Sequence, residues 1–113
     1  DISIIYSAAD LVISRSGALA ISELCYMGKA MILIPFRFAA NNHQELNANE
    51  IKNNQACIKI NENELEMGIL EQAVEKLLKN PEELNLLENN ALKIAKGNST
   101  KQITEHINKI INA

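Results

Sequence analysis

Apolar and polar positions along the chain follow two periods, and each change of period marks the border of an element. The opening residues Ile2, Ile4, Ile5 and Tyr6 are densely apolar, and residues 1–9 read as a short helix ending near Asp10. Leu11-Val12-Ile13-Ser14 is a β-branched run that predicts a buried strand. Arg15-Ser16-Gly17 breaks it. From Ala18 to Met27 the positions Leu19, Ile21, Leu24 and Cys25 keep helical spacing, and Gly28 fits a C-terminal cap. Met31-Ile32-Leu33-Ile34 is continuously apolar as far as Pro35, the pattern of a parallel strand covered on both faces. A polar loop over 36–42 leads to a predicted helix at 43–53, with Leu46 and Ile51 facing inward, and then to a third strand at 56–60. From there the pattern is helical. Leu65, Ile69, Leu70, Val74, Leu77 and Leu78 mark one helix, and Asn80-Pro81 opens the next with a cap and a first-turn proline. Gly97 closes that helix, and Ser99 caps a last one striped by Ile103, Ile107, Ile110 and Ile111.

Strand, helix, strand, helix, strand with crossovers of this length means parallel pairing in right-handed βαβ units. Three strands are about half of a doubly wound sheet. The expectation is therefore an α/β fold, the second half of a nucleotide-binding domain followed by C-terminal helices. The opening, which lacks Met and runs straight into apolar residues, is that of a chain cut from a longer protein. In the doubly wound order the strand at 11–14 has its neighbour upstream, so its outer edge is expected to be unpaired. Such edges recruit other chains. Self-association is expected, through that edge or through Ile103, Ile107 and Ile110.

Composition narrows the function. At 113 residues, 47% hydrophobic and 22% charged, the chain suits one small globular domain. The net charge of −3 falls wholly in residues 61–113, and no cluster of Lys and Arg offers a nucleic-acid footprint. No apolar run reaches the roughly 20 residues of a membrane span, and no secretory signal pattern is visible. Cys25 and Cys57 lack metal or redox spacing and read as reduced, buried thiols of a cytosolic protein.

Two segments carry candidate chemistry. The first, Ser14 to Leu24, runs from a strand end into a helix start, where α/β sheets bind ligands. Gly17 lets a phosphate approach the backbone, and the N–H groups of residues 17–20 meet it with the positive end of the helix dipole. Glu23 lies too deep in the helix for a capping box but can accept both hydroxyls of a ribose. The plainer alternative is an ordinary helix start with a solvated glutamate, and it carries about equal weight. The second segment, Pro35 to Ala48, opens onto the same sheet edge, and Asn42, His43 and Gln44 offer groups suited to sugar hydroxyls. On composition alone a polar loop with an Asn cap explains it better. No spacing supports metal ligation by His43 with Glu45 or Glu23. His106 reads as a surface or packing residue. A Ser-His-Asp hydrolase is disfavoured, because the chain has only two Asp and Ser16 lacks a GxSxG elbow.

Taken together, Ala9 to Ala18, Ser22-Glu23-Leu24, Gly28-Lys29, Ile34-Pro35, Asn42-His43-Gln44, Asn47-Ala48 and Asn80-Pro81-Glu82 resemble the bacterial MurG family. That family is the UDP-N-acetylglucosamine:undecaprenyl-pyrophosphoryl-muramoyl-pentapeptide GlcNAc transferase of peptidoglycan synthesis. The resemblance runs in register from Asp1 to the last helix. It implies the C-terminal half of a Rossmann-like GT-B domain, with about three parallel strands, and roughly the last third of the whole protein. It divides the chain into 1–60, the βαβ units with the donor site, and 61–113, a helical segment. Carried over by position, Gly17, Ala18, Leu19, Ala20, Ile21, Ser22 and Glu23 would line the diphosphate and ribose of UDP-GlcNAc, with Glu23 on the ribose. Gln44 would bond the sugar hydroxyls, with His43 and Asn42 nearby. Ala20 departs from the family's usual Thr and removes a hydroxyl near the phosphate or sugar; Ala30 replaces a common Pro.

The resemblance also implies an inverting transferase with no cofactor and no essential metal. Its catalytic base, uracil contacts and lipid-linked acceptor site lie upstream, in a protein peripheral to the inner face of the bacterial membrane. No catalytic residue falls in this chain, which alone should show no turnover. Two further readings are a GT-B transferase for another UDP-sugar, differing at 41–44, and a free-standing half-domain docked on a partner chain.

Overall fold

A computed structural model of the chain describes residues 4–7, 11–37 and 42–97. Three parallel strands form its centre: β2 (Leu11–Ser14), β3 (Ala30–Leu33) and β4 (Cys57–Lys59), with β1 (Ile4–Ser7) added antiparallel beside β2. The register runs from Leu11 opposite Ala30 to Ser14 opposite Leu33, and from Met31 opposite Cys57 to Leu33 opposite Lys59. Every residue of β2 and β3 is buried, as expected of strands with helices on both faces.

The pleat sorts these side chains between two layers. Val12, Met31, Leu33 and Cys57 pack with Ile21, Leu24 and Cys25 of α1 (Ala18–Met27) and with Ala48 and Ile51 of α2 (His43–Asn53). Both crossover helices thus cover one face, as successive crossovers of one hand require. On the other face Leu11, Ile13, Ala30 and Ile32 meet Leu77 of α3 (Ile69–Leu78) and Leu87 of α4 (Pro81–Gly97). The second half of α4 belongs to the first layer, through Ala91, Ile94 and Ala95.

Local signals set the borders. Gly28 adopts φ 65°, its N–H bonding the Cys25 carbonyl at 3.1 Å while Lys29 N–H reaches Leu24 at 3.0 Å. This double bond closes α1. Asn80 Oδ1 accepts the Glu83 N–H at 3.2 Å ahead of Pro81 and so starts α4.

Four expectations are corrected. Residues 4–7 form a strand rather than part of a helix: Ile4-Ile5-Tyr6 is β-branched and aromatic, and the edge of β2 satisfies its backbone. That pairing also covers the β2 edge expected to be open, so the argument for self-association through it falls. The helix expected from Leu65 to Leu78 is divided. A 3₁₀ helix at Glu62–Met67 is capped by Asn61 and Glu64, and Gly68 at φ 72° turns the chain into α3. Leu46 points outward at 60% exposure, and Ala48 takes the inward position with Ile51. The helix expected after Ser99, its isoleucine stripe and His106 lie outside the described residues.

Candidate functional site

Because β2, β3 and β4 are parallel, the segments after their carboxyl ends, at 15–17, 34–37 and 60–62, open side by side. Gly17 precedes α1 in an extended conformation (φ −67°, ψ 147°) and accepts the Ile21 N–H at 3.0 Å. No side chain caps α1, and its first turn holds no acid. The N–H groups of Ala18, Leu19 and Ala20 come too early in the helix for an intrahelical partner. A Cβ built on Gly17 would meet nothing within 4 Å. Any residue can adopt these backbone angles, so what glycine contributes here is space above a helix N-terminus. Such a terminus favours an anion.

Along α1, Leu19, Ser22 and Glu23 are exposed, whereas Ile21 is buried with Leu24 and Cys25. With its N–H bonded to Gly17 and its side chain in the core, Ile21 seats the helix. The loop before α1 is tied to α2. Buried Ser16 donates its Oγ proton to the Gln44 carbonyl at 2.7 Å, and Asn47 Nδ2 donates to the Ser16 carbonyl at 3.1 Å. This stitch brings the Gly17 turn and Gln44 together. Gln44 Oε1 accepts the Phe36 N–H at 2.8 Å, so Nε2 is the group it offers to a ligand. Asn42 (φ 56°) and His43 are exposed at the start of α2, and Asn42 makes no side-chain cap. Glu45 is engaged by Lys59, whose Nζ also donates to Asn49 Oδ1 at 2.7 Å.

A second set of contacts was missed from the sequence. Arg15 Nη1 donates to the Ile34 carbonyl at 3.3 Å, Nη2 lies 3.5 Å from Glu62 Oε2, and the guanidinium sits 5.5 Å over the Phe36 ring. Glu62 Oε1 accepts the Arg37 N–H at 2.6 Å. Only the partners' positions in the fold reveal this set, because Arg15 and Glu62 are 47 residues apart.

The thiols stand apart from this edge. Burial pushes Cys25 up to about 11, and burial together with the neighbouring Cys25 pushes Cys57 up to about 12, so neither is a nucleophile near neutrality. Among the described residues, no three His, Cys, Asp or Glu side chains gather as a metal site requires. No helix there is long and apolar enough to cross a membrane.

A short parallel sheet between two helical layers, with an uncapped helix N-terminus at its carboxyl edge, defines an α/β domain of Rossmann-like build. The chain belongs to the family described as glycosyltransferase family 28 C-terminal domain, whose model matches residues 1–107. It is 43% identical over 100 residues to the UDP-N-acetylglucosamine--N-acetylmuramyl-(pentapeptide) pyrophosphoryl-undecaprenol N-acetylglucosamine transferase of Thermodesulfovibrio yellowstonii. That match covers 88% of this chain and 27% of the relative. A protein of the same name from Thermoanaerobacter sp. (strain X514) is 39% identical over 106 residues, covering 94% and 29%. The crystal structure of Acinetobacter baumannii MurG matches with a TM-score of 0.65 and 29% identity, covering 89% of this chain and 29% of that one. The chain thus spans less than a third of the length of these relatives.

Proposed function

We propose that this chain is the donor-binding part of an inverting glycosyltransferase that carries GlcNAc from UDP-GlcNAc to a lipid-linked muramoyl-pentapeptide in peptidoglycan synthesis. In this reading residues 1–60 carry the donor site, and the C-terminal segment begins at 61. The reading draws on family membership and on the names of the relatives. The observation in this chain that carries it is the open space at Gly17 over the first N–H groups of α1, which no side chain among the described residues caps. A diphosphate placed there gains backbone donors without displacing any side chain, and the same donors stabilise the charge on departing UDP. Glu23, exposed further along α1, takes the ribose hydroxyls, and Gln44 presents Nε2 to the sugar with Asn42 and His43 beside it. Acceptor and general base belong to an upstream domain of the whole protein, peripheral to the inner face of the membrane.

Calorimetry on the full-length protein tests the site. Glu23→Ala should weaken UDP-GlcNAc binding by about 1.5 to 3 kcal/mol, the worth of a charge-assisted hydrogen bond. Glu45→Ala, whose carboxylate is held by Lys59, should leave it nearly unchanged. Equal affinities for wild type and Glu23→Ala would remove Glu23 from the site.

A further inference from the structure

We propose that Arg15 and Glu62 are positioning residues that fix the segment after β3 and thereby aim the side-chain amide of Gln44, an assignment that rests on the donor-site reading above. The contacts form one continuous path. Arg15, the first residue beyond β2, reaches the segment after β3 twice, by its hydrogen bond to the Ile34 carbonyl and by lying over the Phe36 ring. Glu62 comes from the segment after β4 and divides its carboxylate, one oxygen to the Arg15 guanidinium and the other to the Arg37 N–H. Between these fixed points lies the Phe36 N–H, which donates to Gln44 Oε1. An amide whose oxygen accepts a backbone N–H is fixed in orientation with its Nε2 protons left to donate, so Gln44 is set to donate to a sugar oxygen. All three segments after the parallel strands are thus joined through one ion pair, whose side chains are only 13% and 27% exposed. With its charge matched by Glu62 and both terminal nitrogens turned to Ile34 and Glu62, Arg15 serves the site through Phe36 and Gln44.

The test uses the full-length protein, with UDP and UDP-GlcNAc as probes in calorimetry and amide hydrogen exchange at Phe36 as a readout of geometry. Glu62→Ala should lower affinity for UDP-GlcNAc about five- to tenfold while affinity for UDP stays within about twofold, and the same change in a Gln44→Ala background should cost little more. Exchange at Phe36 should quicken about tenfold in Glu62→Ala without any ligand. Arg15→Lys and Glu62→Gln, which keep bulk, should move both readouts the same way by less. Equal losses for UDP and UDP-GlcNAc would overturn the proposal, because the pair would then act on the nucleotide end of the site and not through Gln44. A loss that persists undiminished in Gln44→Ala, or unchanged exchange at Phe36, would also overturn it. Should Gln44→Ala itself leave UDP-GlcNAc affinity unaltered, the sugar-site reading fails, and exchange at Phe36 still decides whether the brace exists.

Discussion

Gly17 separates the demands of folding from those of binding. Its backbone angles suit alanine, and an added methyl would touch no protein atom. Gly17→Ala should therefore change folding stability by no more than about 0.5 kcal/mol in urea titrations. The methyl would occupy the space assigned to phosphate, and UDP affinity should fall about tenfold, or roughly 1.4 kcal/mol. A variant that binds UDP normally would move the phosphate elsewhere. The buried thiols make a different prediction. Cys25 and Cys57 are held protonated in the folded chain up to about 11 and about 12, against an ordinary value of 9.0. Above pH about 9 the unfolded chain loses those protons and the folded chain keeps them, so the unfolded state binds fewer protons and stability falls as pH rises. The contribution is complete below the unfolded value and is lost as pH climbs through the folded ones. The urea midpoint should drop between about pH 8 and about pH 10.5, and drop less in Cys25→Ala/Cys57→Ala. An equal drop would assign the loss to other groups. Local placement of this kind was legible in the sequence: Gly17 falls at the start of α1, Glu23 within it and Gln44 in the first turn of α2, as the spacing predicts. The Ser16–Gln44 and Arg15–Glu62 contacts were not, because each joins segments that only the parallel crossovers bring together.

Among the elements, α1 shows how a cap and a packing contact combine at one position. Gly28 closes the helix at φ 65°, where a side chain is strained, and a Cβ there would lie 2.7 Å from Leu92 Cγ of α4. Gly28→Ala should cost about 1 to 3 kcal/mol, from left-handed strain plus overpacking against Leu92. Leu92→Ala in the same chain should recover part of that loss, because it removes the clash and leaves the strain. If Leu92→Ala recovers nothing, the cost is conformational alone. The borders of α1, α2 and α4 followed from the sequence because each carries its own signal: Gly28, the polar start at His43, and Asn80-Pro81. Where signals were degenerate the reading failed. Ile4-Ile5-Tyr6 is apolar at every position, which suits a strand as well as a helix, and only a vacant edge on β2 decides between them. Leu65 to Leu78 keeps a helical period throughout, yet a 3₁₀ helix started by the Asn61–Glu64 capping box ends at Met67, and Gly68 at φ 72° divides the stretch.

At the scale of the molecule, the four-stranded sheet is shared by two apolar layers that α4 links, with Leu87 in one and Ala91 in the other, a turn apart on the same helix. Losing either layer exposes one face of β2 and β3, strands that are buried on both. The layers should therefore unfold together, in a single transition. The cysteines allow this to be tested, since Cys25 and Cys57 both lie in the layer under α1 and α2. Leu77, fully buried, lies in the opposite one. Leu77→Ala should destabilise the chain by about 2 to 5 kcal/mol, as large-to-small changes in a packed core do. Far-UV circular dichroism in urea should show a lower midpoint. Thiol labelling in the same urea series should shift by the same amount, although no labelled atom lies in the altered layer. If dichroism shifts while the labelling midpoint stays at its wild-type value, the layer under α1 and α2 folds without α3, and α4 transmits nothing between the two faces. A common shift means that the helical segment after β4 stabilises the sheet edge that carries the candidate donor site, an edge to which it also contributes Glu62 as a positioning residue.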